Sequence, residues 1–140
     1  HSTFDVVVTN PPYLARGTSI PSPENRKISS NIETEVDLAA WLRFSAKFLR
    51  PRGVISLIHR ADRLDHILAL MRVKFGGLIV CPLWPKAEHP AKRVIIFGTK
   101  GSASPTKIMP GIILHNDDGS YTTSVQSVLT GKTLLADLLG

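Results

Sequence analysis

Residues 10–13 read Asn-Pro-Pro-Tyr and combine hydrogen-bond acceptors with an aromatic ring on a stiff stretch of chain. The Asn10 side-chain oxygen and the Pro11 carbonyl oxygen can accept the two hydrogens of a flat NH2 group, and Pro12 restricts the backbone beside them. Such a nitrogen is a poor nucleophile because its lone pair is delocalised, so holding it in line with an electrophilic carbon lowers the barrier. The Tyr13 ring offers a face on which a base or an amide can stack. These four residues predict methyl transfer to a planar amide or arylamine nitrogen.

A buried strand is predicted to place this corner. Residues 4–9 are FDVVVT, and three successive valines are typical of a strand that is covered on both faces. The strand must end at about Asn10 because proline cannot donate to a sheet ladder. Ligands of open α/β sheets bind at the carboxyl ends of strands, which favours a functional corner. The alternative is a turn that merely ends a strand, but chance gives this tetrapeptide in fewer than about one in a thousand such chains.

The next element is predicted to be a helix that follows a long polar loop over residues 15–31. Two overlapping capping signals, Ser30-x-x-Glu33 and Thr34-x-x-Asp37, precede this helix. Apolar residues at a spacing of four predict one buried stripe, which consists of Val36, Ala40, Phe44 and Phe48. The helix is expected to end at Pro51-Arg52-Gly53.

Helix and strand signals alternate along the rest of the chain, which indicates an α/β fold. Strands are predicted over residues 54–58, 78–83 and 93–97, with a helix over 63–74. The last two strands should form an antiparallel pair, because the segment between them is too short for a crossover helix. Residues 102–110 should be loop. The Asp-Gly turn at residues 116–119 predicts a small hairpin over 112–122, and a cap at Thr123-x-x-Gln126 predicts a short helix that ends near Gly131.

Composition indicates a globular domain with a basic balance. The 140 residues are 43% apolar and 20% charged, and no apolar run approaches the roughly 18 residues needed to cross a bilayer. A net charge of +6 favours a polyanionic partner such as nucleic acid. The single cysteine, Cys81, excludes an intramolecular disulfide and fits a reducing cytoplasm, where it should be a buried small hydrophobe. The histidines lack the spacing of metal ligands, so we expect no metal site.

Residues 4–13 resemble motif IV of the class I, S-adenosylmethionine-dependent amino-methyltransferases, which act on adenine N6 of nucleic acids and on glutamine N5 of release factors. Later segments resemble the tRNA adenine-N6 methyltransferases that modify valine tRNA. These segments are Ser22-Pro23-Glu24, Leu38-Ala39-Ala40-Trp41, Leu49-Arg50-Pro51-Arg52-Gly53, Ala91-Lys92-Arg93-Val94 within residues 85–100, and Leu114-His115 ahead of Asp118-Gly119-x-Tyr121-Thr122. The resemblance implies S-adenosylmethionine as methyl donor, with Asn10 beside it, and RNA, specifically tRNA, as substrate.

The resemblance also implies an incomplete catalytic domain. In that fold a glycine-rich loop and an acidic residue hold the methyl donor, and both precede the Asn-Pro-Pro-Tyr motif, yet neither occurs in this chain. We therefore expect residues 1–140 to be the carboxyl-terminal half of a Rossmann-like methyltransferase sheet, with a small hairpin and helix at the end and the donor-binding half absent. Such a piece should be inactive alone. Its motif strand should have an open edge, through which two copies are predicted to dimerise.

Four further residues are predicted to bind substrate: Arg26, Lys92, Arg93 and Trp84. The cations are placed to contact phosphate groups, and Trp84 could stack a nucleotide. Solvated surface charge and rim packing are the respective alternatives. For the longer protein we expect methylation of adenine N6 in RNA. Glutamine N5 methylation of a protein factor and a catalytically silent binding module remain open.

Overall fold

One mixed sheet of six strands organises residues 4–9 and 38–132, which are the residues that the computed structural model describes. The spatial order is β1-β2-β4-β3-β5, and β6 also pairs with β3. The strands are β1 (Phe4–Thr9), β2 (Leu49–Arg60), β3 (Phe75–Trp84), β4 (Arg93–Lys100), β5 (Lys107–Ile108) and β6 (Ile112–Ile113). The α/β class predicted from the sequence is confirmed.

The pairing directions give the sheet its polarity. β1 runs parallel to β2, with Thr9 opposite Leu57, whereas β4 runs antiparallel to both β2 and β3. The predicted antiparallel pair of β3 and β4 is therefore confirmed. Because β4 lies between β2 and β3, the strands β1, β2 and β3 all point the same way and end at one edge of the sheet.

Three helices accompany the sheet in the described part of the chain. α1 covers residues 38–48, α2 is Leu64–Met71 after a single 3-10 turn at Ala61–Arg63, and α3 is Thr123–Leu129. The predicted cap of α3 was wrong by one residue, since the Thr122 hydroxyl accepts a hydrogen bond from the Val125 backbone N–H at 3.4 Å. None of the helices in these ranges is long and apolar enough to span a bilayer.

The buried face of α1 differs from the predicted stripe. Leu38, Leu42 and Ala46 face the core, whereas Phe44 is 52% exposed and Ala40 is also exposed. Val36 lies outside the described residues. The aromatic side chains instead contact one another along the outer side of the helix, where the Phe44 and Phe48 ring centroids are 4.8 Å apart. This aromatic row consists of Phe4, Trp41, Phe44 and Phe48.

The core lies between the two helices α1 and α2 and one face of the central strands. Alternate residues of β2, β3 and β4 enter the same apolar cluster, as a half-covered strand requires. The buried members are Leu38, Leu42, Ala46, Leu49, Ile55, Leu57, Ile67, Met71, Phe75, Leu78, Val80, Val94 and Ile96. Cys81 is buried as predicted, and burial raises the pKa of its thiol.

The first strand is not covered on both faces, contrary to the sequence prediction. Val8 is 76% exposed and Val6 is also largely exposed, whereas Val7 packs partly against the core. The physical reason is that Val6 and Val8 point to the same face of β1, since side chains alternate along a strand, and this face is the exposed one. Three successive valines indicate a strand but do not reveal which of its faces another element covers.

Several strands are longer than the sequence predicted. β2 begins at Leu49, so Pro51-Arg52-Gly53 lies within the strand rather than at the helix end. β3 includes the predicted helix stop, Phe75-Gly76-Gly77. A Cβ on Gly76 would lie 1.9 Å from the Ser102 carbonyl oxygen, so the absence of a side chain lets the loop after β4 pass close to this strand. That loop also contains β5, which the sequence did not predict.

The predicted hairpin is reduced to a tight turn. Its first arm, β6, pairs with β3, and a single antiparallel bridge joins His115 to Tyr121. The predicted turn itself is confirmed, since the Gly119 N–H donates to the Asn116 carbonyl oxygen at 2.9 Å.

Lys100 connects the end of β4 to the end of α1. Its ammonium group donates hydrogen bonds to the backbone carbonyl oxygens of Ala46, at 2.5 Å, and Leu49, at 2.6 Å. The last carbonyl groups of a helix lack intrahelical partners and carry partial negative charge, so a cation there stabilises the helix end.

Replacing Lys100 with methionine should lower the free energy of unfolding by about 1–3 kcal/mol, because the two carbonyl groups lose their charged donor. Denaturant unfolding measures this change. Lys107→Met is the matched control. Because Lys107 is exposed, this replacement should lower the free energy of unfolding by less than about 0.5 kcal/mol. An equal loss in both variants would show that the Lys100 bonds do not stabilise the fold.

Candidate functional site

The carboxyl edge of the sheet collects the polar side chains with chemical potential. β1 is described up to Thr9, β2 ends at Arg60 and β3 ends at Trp84. β4 begins at the same edge, because Arg93 is opposite Arg60 on one side and opposite Leu83 on the other. Ligands of open sheets with parallel strands bind at this kind of edge.

The predicted catalytic corner begins at the residue after Thr9. Asn10, Pro11, Pro12 and Tyr13 lie outside the described residues, as does Arg26. Their roles stay predictions. The strand that leads to them ends at the predicted edge, which is the same edge that carries Lys92, Arg93 and Trp84.

His59 is a buried titratable group beside this edge. It is 1% exposed, and its Nδ1 accepts a hydrogen bond from the Arg60 backbone N–H at 2.8 Å. The neutral ring therefore carries its hydrogen on Nε2 and can act there as a donor. Burial lowers the pKa of His59 below its ordinary value of 6.5, and the charges of Arg63 and Arg60 lower it further. His59 has no role among the sequence predictions, because burial at a strand end has no local signature.

Basic side chains line a surface depression that we call the edge groove. Lys92 belongs to two adjoining concavities, one of about 310 Å³ with Lys86 and His89, and one of about 320 Å³ with Arg60 and Arg93. The residues that define the edge groove are Arg60, Asp62, Pro85, Lys86, His89, Pro90, Ala91, Lys92, Arg93 and His115. The structure thus brings the predicted residues Lys92 and Arg93 together with Lys86 and Arg60.

Trp84 makes a contact that supports the alternative reading of its role. Its indole N–H donates to the Pro110 carbonyl oxygen at 3.0 Å, which fastens residues 110–113 to β3. Gly111 has a φ of 86°, and a Cβ there would lie 2.4 Å from the Pro82 carbonyl oxygen. Trp84 is half-buried in this junction. Its stacking role stays a prediction, and its described hydrogen bond to Pro110 stabilises the fold.

A stacked ring pair beside the groove was missed by the sequence analysis. The His115 and Tyr121 rings lie 4.8 Å apart at 26°, and Tyr121 is 49% exposed. The turn between them brings the rings together. The Asp-Gly signal predicts this turn but not the stacking of the two rings that flank it. Within residues 4–9 and 38–132, no group of three or more His, Cys, Asp or Glu side chains could hold a metal ion.

The chain matches no protein-family model. It is 24% identical over 131 residues to a tRNA1(Val) (adenine(37)-N6)-methyltransferase from Actinobacillus pleuropneumoniae serotype 7, which covers 91% of this chain and 52% of that protein. A solved structure from Agrobacterium tumefaciens, described as a predicted O-methyltransferase, matches with a TM-score of 0.72 at 22% identity and covers 94% of this chain and 53% of that chain. This chain has a methyltransferase fold.

A third similarity covers a smaller part of the methyltransferase fold. A 4-amino-L-phenylalanine/4-methylamino-L-phenylalanine methyltransferase from Streptomyces pristinaespiralis is 34% identical over 82 residues, which is 50% of this chain and 26% of that protein. The resemblance predicted from the sequence is confirmed by these relatives. The chain spans about half the length of the tRNA methyltransferases that it matches.

Stability should fall as the pH drops below about 6.5, because the unfolded chain can bind a proton at residue 59 that the buried ring of His59 resists. The lowered pKa thus contributes stability above the ordinary histidine pKa, and this contribution is lost during acidification. Unfolding free energies at pH 7.5 and pH 5.5 measure the effect. His59→Gln should flatten the dependence. Identical pH profiles for the wild-type chain and His59→Gln would contradict the assignment of this dependence to His59.

Proposed function

We propose that this chain is the carboxyl-terminal part of an S-adenosylmethionine-dependent methyltransferase that acts on a flat amino nitrogen. The observation that carries the proposal is the placement of β1, which ends at the carboxyl edge of a methyltransferase fold and leads directly into Asn-Pro-Pro-Tyr. Asn10 and Pro11 each provide one acceptor oxygen for the two hydrogens of the amine. Pro12 keeps these oxygens preorganised, and Tyr13 stacks on the planar group that carries the nitrogen.

The donor side of the reaction has little support among the described residues. In dinucleotide-binding α/β folds a glycine-rich turn follows a strand, whereas β2 passes into α2 through Ala61–Arg63 without a glycine. S-adenosylmethionine, when bound, supplies an electrophilic methyl carbon. Asn10 is the residue of this chain that we place beside it, and we assign the rest of the donor pocket to a preceding half in a longer protein.

We further propose adenine N6 of tRNA as the methylated group. The basic net charge and the edge groove suit a polyanion, and the curated relatives that span most of the chain are tRNA adenine-N6 methyltransferases. A protein glutamine uses the same corner chemistry. An arylamine has specific support from the aminophenylalanine methyltransferase, whose substrate name describes an amino group on an aromatic ring. A silent binding module would keep the fold without catalysis.

Methyl transfer by the full-length parent separates these possibilities. The protein is incubated with methyl-labelled donor and, in parallel, with bulk tRNA, a peptide-chain release factor or 4-aminophenylalanine. Label in tRNA, located on adenine N6, is the expected result. Label only in the release factor or only in the arylamine would transfer the assignment to that substrate, and no label in any of them would favour the silent module.

In the same assay, Asn10→Ala should reduce kcat by about 100-fold or more, because one of the two acceptors disappears from the transition state. Asn10→Asp keeps an acceptor oxygen and should retain more activity than the alanine variant. The melting temperature controls for folding and should change by less than about 2 °C in both variants. Undiminished incorporation by Asn10→Ala would remove the corner from the mechanism.

The open side of β1 is proposed to pair with a second copy when this chain stands alone. β1 contacts only β2 among the described strands, and Val6 and Val8 are exposed beside Phe4. An exposed apolar edge strand is a template for pairing with another chain. In the longer protein we assign this edge to the preceding half of the sheet.

Size-exclusion chromatography with light scattering should show the 140-residue chain as a concentration-dependent dimer, and Val8→Lys should shift it to monomer by placing a charge on the edge. Val73→Lys is the matched control, because Val73 is equally exposed but lies in the turn after α2. A wild-type chain that remains monomeric at all concentrations would refute the pairing.

A further inference from the structure

The edge groove collects four cationic side chains, of which Arg60 and Arg93 belong to the sheet and Lys86 and Lys92 to the segment between β3 and β4. Arg60 and Arg93 are direct cross-strand neighbours, a like-charged arrangement that destabilises a strand pair. Asp62 pairs with Arg60 and offsets part of this repulsion. Lys92 adds a further charge, since it lines the concavity that contains both arginines. A polyanion placed here would be attracted by these cations.

The groove continues from these cations to the stacked ring pair. His115 lines the same concavity of about 310 Å³ as Lys86 and Lys92, and its ring stacks on Tyr121. Backbone hydrogen bonds hold the rings in place, from His115 N to the Pro85 carbonyl oxygen at 3.0 Å and from Thr122 N to the Leu114 carbonyl oxygen at 3.0 Å. The exposed ring of Tyr121 therefore stacks on His115, which lines the same concavity as Lys86 and Lys92.

Acidic side chains flank the cations of the groove. Asp117 and Asp118 line a neighbouring concavity that shares His115 with the groove, and hydrogen bonds from Ser120 hold the pKa of Asp118 below its ordinary value. Glu88 is exposed between Lys86 and His89, and Asp62 is paired with Arg60. Phosphate groups are thus favoured beside Lys86 and Lys92 and disfavoured beside Asp117 and Asp118, where an uncharged base is the better occupant.

We propose that the edge groove binds single-stranded RNA, with phosphates on Lys86 and Lys92 and a base stacked on Tyr121. This inference rests on the proposed function and assigns to the groove the nucleotides that flank the methylated one. Proteins that bind single strands combine a cationic track with aromatic platforms in this manner. The volume of about 310 Å³ is at the lower end of the range for small-molecule sites. This volume suits one nucleotide and not a duplex.

An acidic protein segment is the competing partner. It would satisfy the cations, but carboxylates are poor partners for the face of the Tyr121 ring, and the apolar residues among the described groove lining are Pro85, Pro90 and Ala91. Protein interfaces usually require a larger apolar centre. The ring pair is therefore the feature that favours RNA.

Fluorescence anisotropy of a labelled single-stranded RNA of about 12 nucleotides tests the proposal on the 140-residue chain. Lys86→Ala combined with Lys92→Ala should weaken binding at least tenfold and reduce the slope of log Kd against log salt by about 1–2, because two phosphate contacts are lost. Tyr121→Ala should weaken binding about tenfold, and Tyr121→Phe should keep the wild-type affinity because the ring remains. The double variant Lys74→Ala with Lys107→Ala removes the same charge from exposed positions outside the groove and should have little effect.

Three results would overturn the proposal: equal weakening by both lysine pairs, unchanged binding by Tyr121→Ala, or competition by poly-glutamate as effective as that by unlabelled RNA. The readout involves no methyl transfer, so it is independent of the catalytic assignment. A parent protein that labels tRNA equally well with and without the groove substitutions would reject the groove but keep the corner. Groove-dependent RNA binding by a parent that labels no substrate would do the reverse.

Discussion

The position of β4 between β2 and β3 determines where every described candidate residue lies. Because β4 is antiparallel to both neighbours, its first residue meets the last residues of β2 and β3 at one edge. Burial maintains this pairing, since a shift of one residue would turn Ile96 away from α1 and α2 and expose it on the opposite face. The chemistry of the edge therefore depends on an apolar core that takes no part in it.

Burial and charge alternate along the end of β2, and this alternation gives the edge its electrostatic character. His59 points into the core and is kept neutral by desolvation, whereas Arg60 points outward and faces Arg93 across the ladder. A like-charged pair is tolerable at the rim because water screens it and Asp62 offsets it. The same pair in the core would be far more costly. The rim of the sheet is thus the position where the fold accommodates two neighbouring arginines.

Sequence patterns predicted the type of most described elements but not the direction in which they face. The α/β class, the antiparallel pair and the turn before Gly119 follow from local signals and loop length. The buried side of α1 did not, because Phe44 and Leu42 are equally apolar and only the sheet decides which is covered. The stack of His115 on Tyr121 was equally hidden, since no local pattern announces a ring contact across a turn. Tertiary neighbours, and not propensities, supplied what was missing.

The exposure of β1 connects stability with catalysis in the proposed function. An edge strand with one neighbour opens at a lower free energy than a central strand. If the last residues of β1 fray, the acceptor oxygens of Asn10 and Pro11 lose their position relative to the amine, and a displacement of about 1 Å is enough to cost about 100-fold in rate. In the proposed function, a strand paired with the open side of β1 would therefore support catalysis without contacting the substrate. A corner made of two prolines removes backbone freedom within the tetrapeptide, but only pairing of β1 on both sides removes the freedom of the strand that carries it.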